Sequence, residues 1–367
     1  MNEKAILFAI VAGFTLPACT FTNEAFEPDS VVSELGASGA GAVDDTADAG
    51  GMAAVAPPYE PGSPCLDGGI RTCGDIDLAP PIGSEPSDPG ETPAVEPSPS
   101  LALPTCTGVW SAFGPPERVT GIELDTDLFA PSLSADGKTL YFASGGQLYT
   151  VVRTTRGTVF GGIVELSVLD SAVLEGTPFI TADDLSLYFF SDRTGDGAEA
   201  RDIWLSQRAG QELPFGPPRR VAEIESAVSD LAPWLAQDEL SVLFVSDRPG
   251  GLGGADVWQA NRRRREDPFG EPVPLSELAS TANEGRAALS ADGRTVFFSS
   301  ARDGNYDIWT STRRDSSGAF EAPTRLDTVN GPALDIDVML SVDQSELFFA
   351  SSRDGLGAIF RSERRCE

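Results

Sequence analysis

From residue 106 onward, short apolar and aromatic segments alternate with Gly, Pro and Asp, and the pattern repeats five times. Each repeat has a turn aspartate followed by a strand: SADGKTLYFAS from Ser134, TADDLSLYFFS from Thr181, AQDELSVLFVS from Ala236, SADGRTVFFSS from Ser290 and SVDQSELFFAS from Ser341. The aspartates, Asp136, Asp183, Asp238, Asp292 and Asp343, are spaced 47, 55, 54 and 51 residues apart. A second strand follows each: QLYTVVR, DIWLSQR, DVWQANR, DIWTSTR and AIFRSER. A third element starts with Phe, at Phe113, Phe160, Phe215, Phe269 and Phe320. With the strand before each turn aspartate, that makes four strands per repeat, and no amphipathic helix intervenes. Four antiparallel strands recurring about every 40–50 residues predict propeller blades. The expected fold class is all-β: a five-bladed β-propeller over residues 106–367.

The order of elements predicts how the ring closes. A Phe-headed strand comes first, at Phe113, and none follows Phe360. The fifth blade therefore lacks its outer strand, and the N-terminal one can supply it, which leaves no open end blades. Cys106 and Cys366 lie just outside these two closing strands. A Cys106–Cys366 disulfide is expected to lock the ring, worth about 4–5 kcal/mol in the chain-entropy model.

These motifs, S-x-D-G-x-x-L-x-F, then S-x-R-x-G, then D-I-W, resemble the WD40-like repeats of the TolB-type β-propeller, a family found in many envelope proteins. The resemblance covers residues 106–367. The first blade departs from it: Ser144-Gly145-Gly146 lacks the arginine, and Gln147 replaces the aspartate. TolB-type propellers usually have six blades, whereas five repeats are counted here.

The N-terminal third reads differently. Residues 5–18, AILFAIVAGFTLPA, form an apolar run of 14, short of the about 20 that a spanning helix needs. It suits a signal peptide over residues 1–18. Leu16-Pro17-Ala18-Cys19 resembles the bacterial lipobox, which implies lipidation of Cys19 and, with Thr20 rather than an aspartate next, an outer-membrane lipoprotein on the periplasmic or the cell-surface side. A diacyl anchor of this kind suits stable membrane attachment. Residues 20–105 hold 24 Pro and Gly, 15 acidic residues and one basic residue, Arg71. Such a stretch is expected to be a disordered tether, so residues 19–105 form one lipidated linker segment. Cys65 and Cys73 within it suggest a small disulfide loop.

Composition then narrows the chemistry. The net charge is −30, and there is no histidine. Nucleic acid and anionic headgroups are poor partners on electrostatics. Without histidine, the Ser-His and Cys-His nucleophile pairs and imidazole metal sites are absent.

Comparing the repeats separates framework from candidate site. Arg193, Arg248 and Arg302 each precede an acid that opens a strand, Asp202, Asp256 and Asp307, and are expected to bridge to it. An acid also precedes each inner strand: Asp127, Glu175, Asp230, Glu284 and Asp335. These five are expected at one mouth of the channel. There they read either as a ligand ring for a cation or a basic partner segment, with Ca²⁺ as the metal that oxygen ligands would suit, or as solvated acids at strand starts. Arg286 and Asp337 break the pattern of the inner strands in adjacent blades and could pair or hold a polar ligand. Trp234 reads as core, or as a stacking surface if exposed. The run Arg262–Arg265 reads as a solvated loop tip or a grip for an acidic partner.

Two functions fit. One is a monomeric, non-catalytic, cofactor-free module that binds or scaffolds an envelope protein or a glycan. The other is a glycoside hydrolase working with axial carboxylates alone, which needs one raised and one ionised acid at suitable separation.

Overall fold

The computed structural model describes residues 106–193 and 201–367. Cys19, Cys65, Cys73 and residues 20–105 lie outside the described residues. Among those described, no helix is long and apolar enough to cross a membrane.

Five four-stranded antiparallel sheets form the blades. Blade I runs β2 (Leu128–Leu133), β3 (Thr139–Ser144), β4 (Gln147–Val152) and β5 (Gly161–Glu165) from axis to rim. Blade II runs β6 (Glu175–Ile180), β7 (Ser186–Ser191), β8 (Asp202–Gln207) and β9 (Arg219–Arg220). Blade III runs β10 (Asp230–Leu235), β11 (Ser241–Ser246), β12 (Asp256–Asn261) and β13 (Val273–Pro274). Blade IV runs β14 (Glu284–Leu289), β15 (Thr295–Ser300), β16 (Asp307–Thr312) and β17 (Thr324–Arg325). Blade V runs β18 (Asp335–Leu340), β19 (Glu346–Ser351) and β20 (Ala358–Glu363), and its outer strand is β1 (Glu117–Arg118) from the other end of the domain.

The repeated turn explains the repeated sequence. In blade I the Ser134 hydroxyl donates to Asp136 at 2.7 Å, Asp136 accepts from the Lys138 N–H, and Ser134 accepts from the Thr139 N–H. The same bonds recur around Asp183, Asp292 and Asp343. The residue after the aspartate is left-handed in all five turns: Gly137, Asp184, Glu239, Gly293 and Gln344. Glycine takes that conformation without steric cost, and it stands there in blades I and IV.

A second recurrent device holds the rim. The arginine that follows each third strand donates from Nε to the carbonyl of that left-handed residue. These are Arg153 to Gly137, Arg208 to Asp184, Arg262 to Glu239, Arg313 to Gly293 and Arg364 to Gln344, at 2.6–2.8 Å. Each guanidinium lies on the ring heading the outer strand, Phe160, Phe215, Phe269, Phe320 and Phe113, 4.3–4.9 Å from the centroid. The Phe-headed motif is thus a platform for the arginine of the neighbouring strand. Arg364 and Phe113 come from opposite ends of the domain, so the same contact also closes the ring.

The closure is as expected. Glu117 pairs with Arg361 and Arg118 with Phe360. Val109 and Glu367 exchange backbone hydrogen bonds at 2.9 Å, and Cys106 is bonded to Cys366. Beside it, at the junction of blades V and I, the fully buried Glu346 accepts two bonds from Arg153, at 3.0 and 2.7 Å, and is also paired with Arg361.

Candidate functional site

Each inner strand, β2, β6, β10, β14 and β18, carries a bulge part-way along. At the bulge Ala130, Thr177, Ala232 and Asp337 are left-handed. Proline follows three of them, as Pro131, Pro178 and Pro233, because a bulge frees the strand from needing that N–H. The bulges release prolyl carbonyls from the sheets, and these need donors.

Arg286 supplies them. It is fully buried and donates to the carbonyls of Pro131 at 3.0 Å, Pro178 at 2.8 Å and Pro233 at 3.5 Å. One side chain of blade IV thereby ties blades I, II and III together. Its Nε has no partner. Asp337, from blade V, accepts the Ala130 N–H of blade I at 3.2 Å. Thr177 does the same for Ala232 between blades II and III. Burial pushes Arg286 down to about 10, against the opposing charge of Asp337. Burial pushes Asp337 up to about 6, against the charge of Arg286 and the Ala130 N–H. The two asymmetric residues singled out in the sequence do meet the same part of the axis, and there they bond to the protein's own backbone. Trp234 is core: it is buried and packs 6.1 Å from Phe179.

The inner-strand acids are buried, and they are not the partners of one another. Glu175, Asp230, Glu284 and Asp335 are each bonded to an arginine of their own blade: Arg193 at 3.0 Å, Arg248 at 2.6 Å, Arg302 at 3.3 Å and Arg353 at 2.5 Å. This corrects the expectation that Arg193, Arg248 and Arg302 bridge to Asp202, Asp256 and Asp307. Each arginine folds back over its sheet and donates from Nε to the serine ending the second strand. Its plane is held between two aromatic rings, for example Phe298 and Trp309 around Arg302 at 5.2 and 4.8 Å. The innermost acid is the most deeply buried charge and takes the cation. Asp307 is served instead by Arg325 of the outer strand at 2.8 Å, and Asp256 by the Leu252 and Gly253 N–H groups. Burial still pushes Asp230 and Glu284 up, against these donors.

Asp127 stands apart. Register places Leu128 opposite Ser144, where Glu175 stands opposite Ser191. Asp127 lies one residue earlier and accepts the Gly357 N–H at 2.5 Å, pinning blade I to blade V. The acids are therefore framework in five separate places. The alternative of solvated acids also gives way, since all five are buried. Among the described residues no group of three or more His, Cys, Asp or Glu is placed to hold a metal ion.

The arginine run is largely spent within the fold. Arg262 is the rim arginine of blade III, Arg265 contacts Glu239 at 3.3 Å and Asp183 at 3.5 Å, and Arg264 contacts Asp267 at 3.0 Å. Arg262 and Arg265 line a mixed-charge groove of about 590 Å³ together with Tyr188, Arg208 and Glu239.

One surface was not singled out by the sequence. The rim strand β5 has five residues, whereas the other rim strands have two. It is exposed along almost its whole length.

The fold and its sites define a class, the closed five-bladed β-propeller. No family model matches the sequence, and no curated protein does. Similar solved structures include the putative TolB from Agrobacterium tumefaciens, 20% identical over 61% of this chain and 69% of that one, with a TM-score of 0.42. TolB from Acinetobacter baumannii is 17% identical over 66% of this chain and 55% of that one, with a TM-score of 0.42. The endo-arabinase from Bacteroides thetaiotaomicron VPI-5482 is 13% identical over 70% of this chain and 99% of that one, with a TM-score of 0.48. These likenesses are likenesses of fold.

Proposed function

We propose that this chain is a cell-envelope lipoprotein, anchored through Cys19, whose propeller is a non-catalytic module that binds or scaffolds a protein or a glycan. The observation that carries the reading is the fate of the acids. Hydrolysis by axial carboxylates needs one raised and one ionised acid facing a common substrate at the channel. Here Glu175, Asp230, Glu284 and Asp335 are occupied by framework arginines, and Asp337, raised to about 6, is buried against the Ala130 N–H. What remains for function is a rigid ring with broad faces and rims. The identity of the fold alone assigns none of this.

The test is chemical cross-linking of the native protein in intact envelopes, read by mass spectrometry. Capture of one defined partner, or of one glycan, on mapped propeller residues supports the reading. Absence of any adduct together with glycosidase activity in the purified protein would overturn it.

A further inference from the structure

The five blades serve as controls for one another at the rim. One position on the outer strand, opposite the aromatic of the third strand, is Arg220 in blade II, Arg325 in blade IV and Arg118 in blade V, and Pro274 in blade III, where backbone N–H groups serve Asp256 instead. Arg325 and Arg220 reach the acid that opens the third strand, Asp307 at 2.8 Å and Asp202 at 3.6 Å. Arg220 also holds Glu225 at 2.6 Å. In blade I the outer-strand position is Glu165, opposite Tyr149, and the third strand opens with Gln147. Asp170 follows Glu165 by the same five residues that separate Glu225 from Arg220. A guanidinium is thus replaced by a carboxylate, while the neighbouring acid is kept.

Among the described residues, the result is a negative notch to which the outer strand brings no cation. Gln147, with its amide nitrogen toward Asp170, donates to both carboxylate oxygens at 2.6 and 3.0 Å. Tyr149 reaches Glu165 only at 3.5 Å. Asp170 is pushed up to about 6, first by burial, then by the neighbouring Glu165 carboxyl and the charge of Glu175; Arg193 acts in the opposite direction. Arg193 is already bonded to Glu175, Ser191 and the Leu169 carbonyl. Independently, the buried Glu175 has one carboxylate oxygen, Oε2, with no hydrogen-bond partner.

The same rim is where apolar surface is left uncovered. Eleven large hydrophobic residues are exposed among those described, and six of them fall between residues 152 and 173: Val152, Val159, Ile163, Val164, Val168 and Val173. Val159 and Val164 are 70% and 55% exposed. They lie on or beside β5, the longest rim strand and the last of its sheet; Thr120 bridges Val159 just before it, and the edge beyond, Gly161–Glu165, pairs with no further strand among the described residues. An open edge with β-branched side chains is a template for one more strand.

We propose that the β5 edge of blade I docks an extended basic segment of a partner protein, which adds as a fifth strand and places an arginine or lysine against Glu165 and Asp170. The partner supplies in trans the cation that Arg220 and Arg325 supply within their own blades. A guanidinium matches the paired carboxylates in shape and charge. A second copy of this chain is a poor occupant, because the net charge of −30 sets copies against one another. The inference rests on the binding-module reading and names its surface and the chemistry of its partner.

The probe is a blocked hexapeptide of alternating valine and arginine, titrated against the full chain, with a valine–glutamate peptide as control. The arginine peptide should bind at least about tenfold more tightly and weaken with salt. Binding should slow amide exchange at Gly161–Glu165. Glu165→Arg should abolish binding while the melting temperature is kept or raised; Glu165→Gln serves if that variant fails to fold. Equal binding of both peptides, binding unchanged in these variants, or exchange protection elsewhere overturns the proposal. So does millimolar calcium chloride displacing the peptide and stabilising the wild type but not Glu165→Gln, which would make the notch a metal site. A failed peptide with a partner still captured elsewhere by cross-linking overturns the edge proposal and leaves the binding-module reading intact.

Discussion

Arg286 of blade IV ties three other blades together. A buried guanidinium is costly unless its donors are used, and here two nitrogens serve three prolyl carbonyls. Arg286→Met keeps the bulk, removes the donors and leaves Asp337 without its counter-charge. It should destabilise the domain by about 3–5 kcal/mol, the range for breaking a buried charge network, measurable as a lowered denaturation midpoint. Asp337 gives a pH signature. Its carboxyl is raised from the ordinary 3.8 to about 6. The folded protein therefore holds that proton more tightly than the unfolded chain does. This group's share of stability falls as pH rises through that window, and its full cost is present above about 6. Urea titrations at pH 4, 5, 6 and 7 should show this slope in the wild type and a shallower one in Asp337→Asn, where Asp170, also raised to about 6, still contributes.

At the level of the blade, the unit is an acid, a serine, an arginine and two aromatic rings. Removing the arginine strands a buried carboxylate. Arg302→Ala should cost about 3–5 kcal/mol, whereas Arg263→Ala, on the exposed loop before Phe269, should leave the midpoint unchanged. Equal effects would refute the assignment of Arg302 to the framework. The unit was half legible. Recurrence marked the arginine as framework, but it read the inner acid as part of a ligand ring or as solvated, and the pairing was misassigned. A one-dimensional pattern shows Arg302 near Asp307 in sequence, whereas Glu284 lies 18 residues back and across two strands. The rim arginines were equally visible, ending all five third-strand motifs, yet their role depends on a carbonyl and a ring from other strands.

For the whole molecule the critical event is closure. β1 meets β20 across the full length of the domain, helped by Cys106–Cys366 and by the buried Glu346 with Arg153 and Arg361. Such a cross-link restrains the unfolded chain over a sequence separation of 260 residues. Reduction, or Cys106→Ser with Cys366→Ser, should lower the melting temperature and speed amide exchange at Glu117–Arg118 before exchange elsewhere rises. Uniform exchange across all five blades would mean that closure is not the weak seam. Glu346→Gln should act at the same junction, since it leaves two buried arginines short of a charge.

The sequence by itself determined the repeat, the strand count, the turn chemistry, the order that closes the ring and the Cys106–Cys366 pairing, because these depend on local pattern and chain order. Only the tertiary structure decided which residue faces which across sheets. It turned the acid ring from a mouth into five buried attachments and made Arg286 a tie between blades. It also showed that the rim of blade I, where Glu165 replaces an arginine, is left open. Burial and long-range pairing are properties of the closed ring, and no stretch of the chain carries them alone.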